Sequence, residues 1–133
     1  MRVVFDTNIF VSALVFPGSR ADEALTAGMD GRIELVISKP IIHEVLEVLA
    51  RKFAHDPEAL ARVAVFLAEL ATLVHPRRRL HILSDEPDNR ILECAVAAHA
   101  PIIVTGDRAM LALKAYGDIR ITSLKTFLEL LEE

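Results

Sequence analysis

Within 133 residues, 15 Lys plus Arg stand against 19 Asp plus Glu, for a formal net charge of −4. Apolar residues make up 53% and charged residues 26%, which excludes a disordered or collagen-like chain. The single cysteine excludes an intramolecular disulfide framework and a Cys-rich zinc site. A mass of 14.7 kDa predicts one domain over residues 1–133, with about 7,000 Å² accessible when folded. No apolar run approaches the ~18 residues of a membrane span. The run Val3–Phe5 stops at Asp6, too soon for a signal peptide. A soluble, cytoplasmic chain without a membrane partner is expected. The negative total argues against a general basic nucleic-acid binder, but not against a nuclease that works through a metal.

In chain order, Val3–Phe5 reads as a buried strand, as do Ile33–Ile37, Ile102–Thr105 and the shorter Ile119–Ile121. Continuous apolar strands suit a parallel sheet covered on both faces. Ser38 is placed to cap a helix beginning near Lys39, with Pro40 in its first turn. The apolar stripe of that helix is Ile42, Val45, Leu46, Leu49 and Phe53. Asp56-Pro57-Glu58 starts a second helix, carrying Leu60, Val63, Leu67, Leu70 and Val74 on one face. A short turn makes the two a helical hairpin. A third helix runs from about Pro87 to no later than Ala100, before Pro101. Ser123 caps a last amphipathic helix through Phe127, Leu128 and Leu131. Strands alternating with helices predict a three-layer α/β fold with right-handed crossovers.

The acids fall at telling places on this skeleton. Asp6 follows the first strand directly, and Asp107 follows Ile102–Thr105 across Gly106. In a parallel sheet both emerge at the carboxyl edge, where open α/β folds place their sites. Asp88 lies in the first turn of its helix and shares a face with Ile91, Leu92, Ala95, Val96 and His99, the face turned to the core. Asp85 and Glu86 just before it are open to a capping or solvated role. Glu44, between Ile41 and Val48 at helical spacing, borders an apolar face, whereas Glu47 has Arg51 at i+4 for a surface pair. Taken singly, each acid has a structural reading as a turn, cap or solvated residue. Taken together, close carboxylates raise one another's proton affinity unless a cation neutralises them. Oxygen donors without Cys or His point to Mg²⁺ or Mn²⁺.

The segments VVFDTNIFVSAL, ISKPIIHEVLEVLARKF, DEPDNRILECAVAA and IIVTGD, in this order, resemble the PIN-domain family, and within it the small prokaryotic VapC-like toxins of toxin–antitoxin pairs. The resemblance spans essentially the whole chain. It implies a PIN-like three-layer fold with a parallel sheet of four or five strands between helices. It implies a Mg²⁺- or Mn²⁺-dependent endoribonuclease whose catalytic and metal-binding quartet is Asp6, Glu44, Asp88 and Asp107. Asn8 and Thr105 match the polar positions that orient the quartet; Asp85 and Glu93 have weaker claims, Glu93 having Arg90 as an alternative partner. An RNA substrate, a cognate antitoxin protein and a homodimer follow from the same resemblance.

Arg77-Arg78-Arg79, the only basic run, reads either as a phosphate contact or as a solvated loop. The five histidines show no metal-ligand spacing, and Cys94 reads as a packed helical residue. Two other functions stay open. A haloacid-dehalogenase-type phosphohydrolase also starts with a strand-end Asp, but its usual second Asp is here Asn8. A catalytically silent RNA- or metal-binding PIN module would keep the fold without cleavage.

Overall fold

Val3, Val4 and Phe5 are fully buried because the strand they form has a strand on each side and helices above and below. The computed structural model describes residues 1–133. In chain order its elements are β1 (Arg2–Phe5), α1 (Thr7–Val15), α2 (Arg20–Met29), β2 (Glu34–Ile37), α3 (Lys39–Phe53), α4 (Pro57–Leu70) and β3 (Thr72–Leu73). There follow α5 (Glu86–Ala98), β4 (Ile102–Val104), α6 (Arg108–Leu113), β5 (Ala115–Tyr116), β6 (Ile119–Thr122) and α7 (Leu124–Glu132). The accessible surface is 7333 Å². No helix is long and apolar enough to cross a membrane.

The six strands lie in the order β3-β2-β1-β4-β6-β5. All neighbours pair in parallel except β5 and β6, which are antiparallel. The α/β fold with a mostly parallel sheet between helices is as expected. Six strands stand where four or five were anticipated, because two edge pairings of two residues each, β3 and β5, carry no hydrophobic pattern long enough to read. The chain moves from β1 to β2 and β3 on one side, then returns to place β4 on the other side of β1. The sheet therefore has a topological switch between β1 and β4, the position at which open α/β sheets form a crevice. α5 packs across β1, β2 and β4, and α3 meets both α1 and α5. Phe5 stacks against Phe10 of α1 and Phe127 of α7, with ring centroids 5.4 and 6.0 Å apart, so the residue before Asp6 is held by both flanking helices.

Several local expectations need correction. The buried stripe of α3 is Ile41, Val45, Val48 and Leu49. Ile42 and Leu46 are half-buried and Phe53 is exposed, because α3 packs on α1, α4 and α5 at once, which turns its buried face back by part of a turn. Ser38 precedes α3 but makes no capping bond; it is wholly buried and its hydroxyl has no partner. Val74 does not continue α4. The helix ends at Leu70, β3 intervenes, and the Val74 N–H donates to Ile37 O at 2.8 Å. His99 leaves the α5 face because it terminates the helix with a left-handed φ of 52° and is exposed. The hairpin of α3 and α4 forms as expected, as do the caps by Asp56 on Ala59 N–H (2.8 Å) and by Ser123 on Thr126 N–H (3.2 Å).

Candidate functional site

The register pairs Phe5 with Val104, so the next rung brings Asp6 beside Thr105. The Asp6 N–H donates to Val104 O at 2.9 Å, and the buried Thr105 hydroxyl donates to Asp6 Oδ2 at 2.6 Å. Thr105 Oγ1 also accepts the Asp107 N–H at 3.0 Å. One hydroxyl thus links the acids at the ends of two adjacent strands. Asp107 Oδ2 in turn accepts the Met110 N–H at 2.9 Å, which caps α6. Both acids spend an oxygen on a protein donor, and this fixes their orientation.

Asp88 enters from α5 and is only 7% exposed. Its Oδ2 is buried with no hydrogen-bond partner. A carboxylate left so is costly, and the cost appears in its acidity. Burial, then repulsion from Asp107, Asp85 and Asp6, and last a hydrogen bond shared with Asp107, push the Asp88 carboxyl up to about 7 from an ordinary 3.8. Asp6 is also raised, chiefly by burial and further by Asp107, against the lowering effect of the Thr105 bond and the Asn8 backbone N–H. Glu44, half-buried on α3, is raised by burial and then by Asp6 and Asp85. Glu47 is instead paired with Arg51 at 2.6 Å on the surface.

The structure therefore gathers Asp6, Asp107, Asp88 and Asp85 into one field of mutual repulsion at the switch point, with Glu44 coupled to Asp6 and Asp85. Asp85, given only a supporting place from sequence, acts on both helix-borne acids. Asn8 is exposed and acts through its backbone. As they stand, no three His, Cys, Asp or Glu side chains have the geometry to hold a metal ion. Asp6 is turned toward Thr105 and Asp107 toward the first turn of α6.

Two buried polar residues of α5 hold the neighbouring loop in ways the sequence did not show. Asn89 is fully buried and holds the loop that delivers Asp85. Its Oδ1 accepts the N–H groups of Ile82 (3.0 Å) and Leu83 (2.9 Å), and its Nδ2 donates to Leu83 O at 2.8 Å. Glu93 is buried; it pairs with Arg90 at 3.1 Å, its alternative partner from sequence, and accepts the Leu80 N–H at 2.8 Å. An Asn or Glu on the buried side of an apolar helix was the available signal, since each needs a partner there. Asn89→Ala leaves two loop N–H groups without their acceptor and is expected to cost about 2–3 kcal/mol. Limited proteolysis should then cut first within Leu80–Asp85.

A PIN-domain family profile matches residues 2–109, and the chain belongs to that family. PIN domains are in general nucleases and generally use divalent metal ions. This membership sets aside the haloacid-dehalogenase reading. The chain is 26% identical over 118 residues to the uncharacterized protein MJ1680 of Methanocaldococcus jannaschii, covering 86% of this chain and 76% of that one. Its fold is similar to that of a chain in the crystal structure of VapBC2 from Rickettsia felis bound to a DNA fragment from their promoter. The TM-score is 0.63 at 16% identity, over 92% of this chain and 98% of that one. It is similar also to a chain in the structure of VapBC-1 from nontypeable Haemophilus influenzae, with a TM-score of 0.64 at 15% identity, over 94% and 99% of the two chains.

Proposed function

We propose that this chain, as one PIN domain over residues 1–133, is a cytoplasmic endoribonuclease dependent on Mg²⁺ or Mn²⁺ and the toxin of a toxin–antitoxin pair. The observation that carries the reading is the buried Asp88 carboxyl, whose Oδ2 has no hydrogen-bond donor, set among Asp6, Asp85 and Asp107 at the switch point of a PIN sheet. A buried carboxyl oxygen without a donor, among acids that repel one another, fits a cation. Donors that are all oxygen, without Cys or His, fit a hard divalent ion. Asp6, Glu44, Asp88 and Asp107 would hold it, drawn closer together than they now stand. When bound, it supplies positive charge that acidifies the attacking water and stabilises the oxyanions developing on a phosphodiester. The protein's own part is to aim the acids: Thr105 fixes Asp6, the first turn of α6 fixes Asp107, and Asn89 with α5 fixes the loop of Asp85. The likeness in fold to chains of VapBC structures supports an antitoxin partner, and the same family reading supports a homodimer.

The test is RNA cleavage by the purified chain with Mn²⁺, with and without EDTA. Fragments are expected with Mn²⁺ and none with EDTA. Mn²⁺ binding without cleavage would instead make the chain a silent PIN module. Thr105→Val removes the bond that keeps Asp6 acidic, so the acid limb of the cleavage pH profile is expected to move upward and the rate to fall about 10-fold, equivalent to about 1.4 kcal/mol. Thr105→Ser should restore both.

A further inference from the structure

Beyond the acidic site, the loop between β3 and α5 builds a concave, cationic path. Three concavities of about 210, 230 and 450 Å³ run together through shared residues: His75 and Glu93 join the first two, and Arg78, Val96 and His99 join the last two. The path starts at Lys39 and Arg79, beside the first turn of α3. It passes Arg77 and Arg78 along the outer side of α5 and ends at Tyr116, the only tyrosine in the chain. Lys39, Arg77, Arg78 and Arg79 are exposed and none is ion-paired; the cations that are paired are Arg2, Arg51, His81 and Arg90. Of the two acids on the lining, Glu93 is already taken by Arg90 and the Leu80 N–H, which leaves Asp118. A chain of net charge −4 thus sets four free cations along one groove.

The groove begins at the same edge of the sheet as the site, because Lys39 follows the carboxyl end of β2 as Asp6 follows that of β1. Glu93 lies about 7.5 Å and His99 about 16 Å along α5 from Asp88, at 1.5 Å per residue. The loop is not free to collapse, because Leu80, Ile82 and Leu83 are bonded to Glu93 and Asn89 of α5.

We propose that this groove binds the sugar–phosphate backbone of an RNA strand running along α5 away from the acidic site, with Arg77 and Arg78 on phosphates and Tyr116 offering a face for a base. It rests on the nuclease reading for its choice of RNA over other polyanions. Cationic grooves with an aromatic platform hold single strands without reading their sequence.

The test is fluorescence anisotropy of a labelled single-stranded RNA 20-mer with the full chain in EDTA, where cleavage is not expected, across a salt series. Arg77→Glu combined with Arg78→Glu is expected to weaken binding at least about 10-fold and to lower the log–log salt slope by about 1.4, at about 0.7 per phosphate contact. Arg62→Glu, exposed on α4 away from the groove, should leave both unchanged, and all three proteins should melt alike. Unchanged RNA affinity in the double variant, or no RNA binding by the wild type, overturns the groove. So does polyglutamate binding as tightly as RNA, which would assign the surface to an acidic protein segment. Loss of binding in the double variant while the wild type fails to cleave RNA in Mn²⁺ would uphold the groove and defeat the nuclease reading, so the two fail separately.

Discussion

Replacing Asp6 by Asn is expected to lower Mn²⁺-dependent RNA cleavage by about 10³-fold or more, about 4 kcal/mol of transition-state stabilisation at 1.36 kcal/mol per decade. Asp6, like Asp85, acts on both Glu44 and Asp88, and it alone of the two is tied through Thr105 to Asp107. An amide at this position keeps the size and can still accept the Thr105 hydroxyl, so the fold should hold while the negative charge is lost. Asp88→Asn should show a similar loss. A double Asp6→Asn, Asp88→Asn variant should lose little more than either alone, because groups that act as one unit are not additive. Single-turnover cleavage at saturating Mn²⁺ checks this. A variant that cleaves as the wild type does would remove Asp6 from the site.

The second large effect is on stability rather than rate. Asp88 in the folded chain is raised to about 7, from 3.8. Between these values the folded state holds a proton that the unfolded state has released. Stability is therefore fully present below about pH 4 as far as this group is concerned, and is lost as pH rises through about 7. Asp6 and Glu44, also raised, push in the same direction. With the partial solvent screening of a site at the sheet edge, the loss from Asp88 is about 2 kcal/mol, or about 6–8 °C in Tm for a chain of this size. The metal-free protein should accordingly melt lower at about pH 8 than at about pH 5. Millimolar Mg²⁺ or Mn²⁺ should raise the Tm at the higher pH far more than at the lower, and Asp88→Asn should flatten the metal-free dependence. Thermal melts in EDTA and in Mg²⁺ at the two pH values measure this. A Tm that rises with pH in EDTA would show that Asp88 is not the strained acid described.

Both predictions depend on features that were unequally visible in the linear chain. The central strands were legible because Val3–Phe5 and Ile102–Val104 are short apolar runs with a turn residue after each, and burial on both faces demands such runs. For the same reason the two acids at the strand ends, Asp6 and Asp107, could be placed at the sheet's carboxyl edge from spacing alone. Asp88 was legible as an acid on an apolar helical face. The edge strands β3 and β5 were not, since two-residue pairings are decided by which neighbour lies beside them and leave no periodic pattern. The length of α4 was misjudged for that reason: Val74 continues the helical spacing of Leu67 and Leu70, yet its N–H is claimed by Ile37 O across the sheet.

Periodicity and residue type thus determined the fold class, the positions of three acids and the preference for hard oxygen ligands, because these depend on local burial and on donor chemistry. Tertiary structure alone decided how the acids relate. The hydroxyl of Thr105 reaches Asp6 over a sequence separation of 99 residues, Asp85 acts on acids of two helices, and Asn89 anchors the loop before α5. A charge's energy depends on distance and solvent exclusion, and neither is set until strands far apart in the chain are paired.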